Sequence, residues 1–317
     1  MKQYIWKLAK WLHHFDFAHA LPFMARLPVS LGYTLARWRG ALNGATGRDW
    51  RSMGLGFRHI HRQSRVAYAQ LHPQASEAQL DAWRRQRFMA EAMDEFEARW
   101  LAAGRVPELT CEFDPPNALD LLRQREKGLL LLTPHFESFF LGVCFLGRSQ
   151  ETINIMTSAV THDPRVDSAV KKHFEAKYRG LEQYLNGGKA VDMEEGIRPF
   201  YEMLQRQEIL VLLGDAPVLP NGASMKVNFL EGQRTIAGGG PRIAQRTHSD
   251  IGGFVCIPLR KGHYKLILTP TAPASSPEAI QHIYDFFTRH MMQNPGGWWA
   301  SDLLPAMPVE NESRPEK

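Results

Sequence analysis

The chain has 317 residues, of which 44% are hydrophobic and 22% are charged, and its formal net charge is +5. This apolar content is enough for one large core and predicts a globular fold of enzyme size. The excess positive charge lies mainly in the first 105 residues and favours anionic lipids or an acidic carrier protein, whereas no zinc-finger, RNP-type or basic-zipper motif indicates nucleic-acid binding.

Residues 1–20 are predicted to form an amphipathic helix that lies on a membrane surface. Apolar residues recur at helical spacing and the lysines fall elsewhere on the wheel, while the uncharged run is too short to span a bilayer. The alternative is an ordinary amphipathic helix packed on its own domain. The apolar positions are Ile5, Leu8, Leu12 and Phe15, with Trp6 and Trp11 suited to the headgroup boundary.

A helical layer is predicted up to about residue 108. Its longest helix runs from Ser76 to Ala103, because Ser76 and Gln79 have the spacing of a capping box and Gly104 is a natural stop. We treat residues 21–304 as a single domain, in which this layer covers a core that begins near residue 110. The polar segment 305–317 is expected to be a disordered tail.

The core is predicted to be an α/β fold with a mixed, mostly parallel sheet flanked by helices. Largely uninterrupted apolar runs indicate strands buried on both faces, and helical stretches alternate with them. The lysine and glycine at 261–262 separate two apolar runs and predict a hairpin. The expected strands are 128–134, 152–157, 208–215, 254–260 and 263–270, and the expected helices are about 163–179, 194–206 and 241–247.

One histidine follows a predicted strand directly. The segment 129–142 passes from the strand through Thr133 and Pro134 to His135, after which an apolar helix begins. Ligands of open α/β sheets bind at the carboxyl ends of strands. Glu137 is two residues further on and can hold one imidazole nitrogen while the other takes a proton. Alone, such a pair is also typical of a solvated contact.

The sequence predicts no metal site and no bound cofactor. The histidine pairs near the N-terminus have no cysteine or carboxylate at ligand spacing. The cysteines are odd in number and far apart, so we expect free thiols in a reducing compartment. They are Cys111, Cys144 and Cys256.

Between about residues 20 and 304 the chain resembles the lipid A biosynthesis late-acyltransferase family, part of the lysophospholipid acyltransferase superfamily. Asp215 matches the family's Asp, although Ala216 replaces its Gln. The closing segment is similar to Pro-x-x-Trp-x-Trp, with Ala300 in place of the second Trp. The four blocks that carry the resemblance, in order, are 129–142, 209–232, 237–260 and 294–302.

The resemblance implies an acyltransferase that takes an acyl group from an acyl carrier protein or CoA thioester. The acceptor would be a hydroxyl or amine of a lipid, glycolipid or lipid-like metabolite, at the cytoplasmic side of the inner membrane, with His135 as general base. Asp215 and Phe140 are nominated as substrate-binding residues, with Phe140 as a wall of the site. Arg242, or else Arg234, is nominated to stabilise the oxyanion.

The family's acid is missing from its usual position. The signature places Asp or Glu five positions after the histidine, and this position holds Phe140. Glu137 is the nearest candidate to replace it, Asp215 is an alternative, and an unassisted histidine acting on an amine is another. Two further functions stay open, namely aminoacyl transfer to a lipid and a non-catalytic membrane-associated scaffold.

Overall fold

The computed structural model describes residues 2–56, 58–157 and 161–309. The first part of the chain is helical up to residue 102, as expected, and includes a π-helical turn at Asp16–Ala20. The helices of this layer are α1 (Lys2–Phe15), α2 (Leu21–Met24), α3 (Val29–Thr46), α4 (Ser52–Leu55), α5 (His59–Leu71) and α6 (Glu77–Ala102).

Helix α6 begins where the capping box places it. The Ser76 hydroxyl accepts from the Gln79 backbone N–H at 3.3 Å, and the Ser76 backbone N–H donates to the Gln79 side chain at 2.8 Å. These two bonds satisfy N–H groups that have no partner within the helix. Gly104 follows the helix with φ of +71°, a conformation that glycine adopts without steric cost. The predicted helix is confirmed.

Helix α1 ends earlier than the predicted surface helix. Leu8, Trp11 and Phe15 are exposed, but Asp16 and Phe17 in the following turn are buried. The outward apolar face therefore stops at Phe15, because the chain turns into the core there. Met1 and the side chains of residues 2–7 lie outside the described residues. No described helix is long and apolar enough to cross a bilayer.

The second part of the chain is an α/β core that begins at Thr110. Its helices are α7 (Ala118–Arg123), α8 (Phe139–Leu146), α9 (Ser168–Glu182), α10 (Arg198–Gln205), α11 (Gly239–Arg246) and α12 (Pro277–Gln293). Its strands are β1 (Thr110–Asp114), β2 (Leu129–Thr133), β3 (Ile153–Thr157), β4 (Ala190–Asp192), β5 (Ile209–Leu213), β6 (Ser224–Asn228), β7 (Gln233–Ala237), β8 (Asp250–Arg260), β9 (His263–Leu268) and β10 (Ala272–Pro273).

The main sheet is mixed and mostly parallel, as predicted. Its order is β1-β9-β8-β2-β5-β3-β4, with β10 antiparallel to β8. The pairs β2–β5, β2–β8, β3–β5, β3–β4 and β1–β9 are parallel, whereas β8 and β9 form the expected antiparallel hairpin. The separate antiparallel hairpin of β6 and β7 was not predicted.

The central strands are buried on both faces. Alternate residues of β2 enter different clusters: Leu129 and Leu131 pack on one side of the sheet, and Leu130 and Leu132 on the other. Helices α6, α8 and α9 contribute to the first cluster, and α10, α11 and α12 to the second. A strand covered on both faces needs an unbroken apolar sequence, which explains why β2 reads as a continuous leucine run.

The chain stays packed beyond the predicted start of the tail. Met307 is buried, its carbonyl accepts from Arg234 Nη1 at 2.5 Å, and Val309 pairs with Arg234 in an isolated bridge. The boundary at residue 305 is therefore wrong, because these residues cover one side of the core. The rest of the predicted tail, residues 310–317, lies outside the described residues.

Candidate active site

Two neighbouring parallel strands end at the same edge of the sheet. The register of β2 and β5 pairs Thr133 with Leu213, and the Gly214 N–H continues the ladder to the Thr133 carbonyl at 2.8 Å. His135 and Asp215 each lie two residues beyond their strand. The strand register therefore places an imidazole and a carboxylate side by side, although 80 residues separate them in sequence.

Asp215 holds His135 through two contacts. Its Oδ1 lies 2.8 Å from the ring Nδ1, and its Oδ2 accepts the His135 backbone N–H at 2.9 Å. An ionised carboxylate only accepts hydrogen bonds, so Nδ1 carries the proton in this contact. The lone pair of the neutral ring is then on Nε2, which is the nitrogen available to take a proton from a substrate.

The Asp215 carboxylate is fully buried and yet ionised. Trp298 adds a third bond by donating its indole N–H to Oδ2 at 2.8 Å. Burial raises the pKa of a carboxyl group, but the electrostatic attraction of the His135 ring and the hydrogen bonds from His135 and Trp298 outweigh this effect and hold the pKa of Asp215 below its usual range. The orienting group therefore stays negatively charged.

Aromatic rings border the imidazole. The Trp299 ring meets the His135 ring edge to face at a centroid distance of 4.8 Å, and the Phe139 ring lies at 5.7 Å. The Trp299 backbone N–H also donates to the His135 carbonyl at 3.1 Å. The His135 side chain is 19% exposed, so the ring is held by its neighbours but remains accessible to a substrate.

A buried network of charged side chains holds the Trp299 backbone in place. Arg87, which is fully buried on α6, donates Nε to the Trp299 carbonyl at 2.8 Å. The same guanidinium pairs with Asp49 at 3.1 Å and with Glu91 at 2.6 Å. The helical layer thus anchors the tryptophan that packs on the catalytic candidate, which links the two parts of the chain.

The loop after His135 is anchored by a second buried acid. Ser138 donates its hydroxyl to Glu97 on α6 at 3.0 Å, and Tyr264 on β9 donates to the same oxygen at 2.8 Å. Burial, followed by the negative charge of Asp94, raises the pKa of Glu97 well above its usual range. Glu97 is therefore a neutral acid that ties this loop to the helical layer.

Contrary to the sequence-based expectation, Glu137 does not pair with His135. Its backbone φ is +47°, and its side chain accepts from Asn294 Nδ2 at 2.5 Å. Asn294 in turn accepts from Gln86 at 2.6 Å. The alternative acid, Asp215, makes the contact instead, because the β5 strand delivers it to the ring whereas the local turn directs Glu137 toward α12.

No hydrogen bond or ring contact is seen between the dyad and the other nominated residues within the described part of the chain. Arg234 is buried and donates to backbone carbonyls, including that of Phe229 at 3.0 Å, which is a structural role. Arg242 is exposed on α11, and among the described residues no hydrogen bond or ion pair joins it to His135. Phe140 is buried against Phe139 at a centroid distance of 5.7 Å, one ring away from the imidazole.

Comparison with known families agrees with this geometry. Residues 74–300, more than half of the chain, match the family model of bacterial lipid A biosynthesis acyltransferases. The chain belongs to this family. The matched region contains His135, Asp215 and both tryptophans of the closing segment, and membership makes the protein a lipid acyltransferase rather than a non-catalytic scaffold. No curated protein matches the chain.

Three residues that shape the site of this lipid acyltransferase were not nominated from the sequence. Trp298 and Trp299 belong to the closing block that carried the resemblance, and this was a usable signal. Phe139 lies in the apolar helix that follows His135, and nothing in such a helix tells which ring faces the histidine. The position of the loop decides this, and it selects Phe139 over Phe140.

Proposed function

We propose that His135 is the general base for acyl transfer from an acyl carrier protein or CoA thioester to a hydroxyl or amine of a lipid or glycolipid. The observation that carries this proposal is the Nδ1 contact with Asp215 at 2.8 Å, which leaves Nε2 of the neutral ring unprotonated. Family membership supports lipid as the acceptor class.

The proposed reaction needs one base and no change in redox state. His135 Nε2 removes the proton of the acceptor O–H or N–H while that oxygen or nitrogen bonds to the thioester carbonyl carbon. The tetrahedral oxyanion collapses, the carbon–sulfur bond breaks, and the imidazolium returns its proton to the departing thiolate. Asp215 stabilises the imidazolium during this cycle because it stays charged in a buried position.

We also propose that the enzyme is peripheral to the cytoplasmic side of the inner membrane and that α1 lies in the lipid interface. The described part of α1 supports this, because its large apolar side chains point away from the protein. These residues are Leu8, Trp11, Leu12 and Phe15.

The proposal is tested by mass spectrometry of lipid extracts from cells that express wild type, His135→Ala or Glu137→Gln, with an empty vector as reference. We expect an additional species heavier by an acyl mass with wild type and its loss with His135→Ala, since general bases contribute about 10²–10⁴-fold. Glu137→Gln should keep most of the product, because the Glu137 carboxyl contacts Asn294 and not the imidazole.

His162→Ala is the matched control. His162 is 70% exposed, so its replacement removes an imidazole without touching the dyad and should leave the product unchanged. A His135→Ala level equal to wild type would contradict the assignment of the base. If Glu137→Gln abolished the product while folding normally, the second acid near the histidine would have to be assigned a chemical role.

A further inference from the structure

Helix α3 packs tightly against α6, and small residues on its inner face allow the close approach. A small residue recurs at every fourth position of the inner face, namely Gly32, Ala36, Gly40 and Gly44. A Cβ added at Gly40 would lie 2.5 Å from the Met89 Cα, which shows how closely the two backbones approach. This face of α3 is therefore fully used within the protein, and its orientation is fixed.

The opposite face of α3 carries large apolar side chains into solvent. Trp38 is 75% exposed and Leu42 is 56% exposed. Single exposed apolar residues are common on protein surfaces, but a contiguous group of them indicates an interaction site. Trp38 and Leu42 follow the spacing of one helical stripe, which extends over the length of the helix. We call this stripe the α3 ridge, and its members are Leu31, Leu35, Trp38 and Leu42.

The exposed charges of α3 itself and of the hairpin tip that contacts it are positive. The helix contains no acidic residue, and of its two arginines Arg39 is buried in ion pairs with Asp16 and Glu95, which leaves Arg37 on the outside. Lys261 at the tip of the β8–β9 hairpin reaches the same helix and donates to Thr34 at 2.7 Å. A tryptophan-bearing apolar stripe bordered by cations matches the boundary between acyl chains and anionic headgroups.

The α3 ridge also adjoins the loop of the dyad. Burial raises the pKa of Glu137, and the positive charge of Arg37, next to Trp38, acts in the opposite direction. Tyr33 of the same helix donates its hydroxyl to Glu97 Oε1 at 3.4 Å, and this oxygen also accepts the Ser138 hydroxyl of the loop after His135 at 3.0 Å. Helix α3 and the loop that carries His135 are therefore joined through Glu97.

We propose that the α3 ridge inserts into the lipid leaflet and orients the catalytic domain, with the His135 loop facing the membrane surface. This deepens the proposed function and rests on a lipid acceptor. A second copy of the chain fits the ridge less well. Two-fold pairing of the ridges would place Arg37 of one copy near Arg37 of the other, and α3 has no acidic residue to compensate this repulsion.

The test is sedimentation of the purified full chain with phosphatidylcholine vesicles that contain 30% phosphatidylglycerol. A double variant, Leu35→Glu with Leu42→Glu, should bind at least about tenfold more weakly than wild type, because it replaces inserted leucines by charge. The matched control is Ile197→Glu with Leu219→Glu, two exposed apolar residues outside the helical layer, and it should bind as wild type does. Equal binding by the ridge variant would overturn the proposal.

Trp38→Phe gives a second measurement that does not depend on a charged substitution. This variant should still bind vesicles, and it should lose part of the tryptophan quenching by bromine-labelled lipid, since Trp38 is the most exposed ridge residue. Unchanged quenching would contradict insertion. So would light scattering that shows a wild-type dimer and a monomeric ridge variant with intact vesicle binding.

These measurements separate the α3 ridge from the chemistry. They use no substrate, so His135→Ala should bind vesicles as wild type does even though it transfers no acyl group. Loss of acyl transfer with normal vesicle binding concerns the dyad, and loss of vesicle binding in the ridge variant alone concerns orientation. Leu8→Glu with Leu12→Glu, tested in parallel, measures the contribution of α1.

Discussion

Asp215 at the sheet edge and Glu97 in the helical layer are both buried acids that serve the same loop, yet their charges differ. The pKa of Asp215 lies below its usual range, and the pKa of Glu97 lies well above it. Burial raises both values, so the partners decide the outcome. Asp215 faces three N–H groups, those of the His135 ring, the His135 backbone and the Trp298 indole, whereas Glu97 faces neutral hydroxyls and the negative charge of Asp94.

Burial alone therefore does not mark an acid that can support a catalytic histidine. A carboxylate stays charged in the interior when its partners stabilise the charge, and it takes up a proton when they do not. Only the charged acid can fix the tautomer of a histidine and stabilise an imidazolium. Glu97 instead supports the backbone position of the loop through Ser138.

Asp215→Asn should have the largest effect on activity. The amide keeps the shape of the side chain but removes its charge, and it no longer requires the proton to be on Nδ1. We expect the rate of acyl transfer to fall about 10²–10⁴-fold with little change in thermal unfolding. Steady-state kinetics of the purified enzyme measures this, and a loss smaller than threefold would contradict the role of Asp215.

Trp298→Phe should have a smaller effect. It removes the indole donor to Asp215 Oδ2 at 2.8 Å, a bond to a charged group worth about 1.5–3 kcal/mol, and we expect kcat to fall about tenfold at an unchanged KM. Trp100→Phe is the control, since Trp100 is equally buried in the helical layer. It should lower stability only, and equal losses of kcat in both variants would rule out a specific role for Trp298.

Glu97→Gln should change activity least, within about twofold, because glutamine still accepts the Ser138 and Tyr264 hydroxyls. The folded wild type binds a proton at Glu97 that the unfolded chain releases above pH ~4.3, so its stability falls as pH rises through this window, by at most about 1.4 kcal/mol per unit. Glu97→Gln has no ionisable group at this position, so its free energy of unfolding lacks this dependence on pH. Urea unfolding at pH 5, 6.5 and 8 should show wild type weakening relative to the variant, and parallel curves would mean that Glu97 is charged.

Local sequence signals were sufficient for much of the fold. The leucine run of β2, the equivalent run of β5 and the capping box at Ser76 each specify their element without distant contacts. The β6–β7 hairpin was missed because its strands mix polar and apolar residues, as at Ser224–Asn228, and are not buried on both faces. Helix α9 begins at Ser168, later than expected, because Asp167 caps it.

The site was only partly predictable because its partners come from distant segments. His135 could be placed at a strand end from its own neighbours, but the choice between Glu137 and Asp215 depended on the β2–β5 register and on a turn with positive φ at Glu137. Sequence proximity favoured Glu137, and spatial proximity selects Asp215. The α3 ridge was overlooked for a related reason: the buried face of α3 carries Arg39 and the exposed face carries Arg37, so the charge pattern does not tell which face is outside.

We infer that Asp215 holds the neutral His135 imidazole with its proton on Nδ1 and leaves Nε2 as the base. Nitrogen-15 NMR of histidine-labelled protein tests this directly, with His135→Ala used to assign the signal. We expect the Nδ1–H form for neutral His135 in wild type and a shift toward the Nε2–H form in Asp215→Asn. A wild-type ring protonated on Nε2, unchanged in Asp215→Asn, would contradict it.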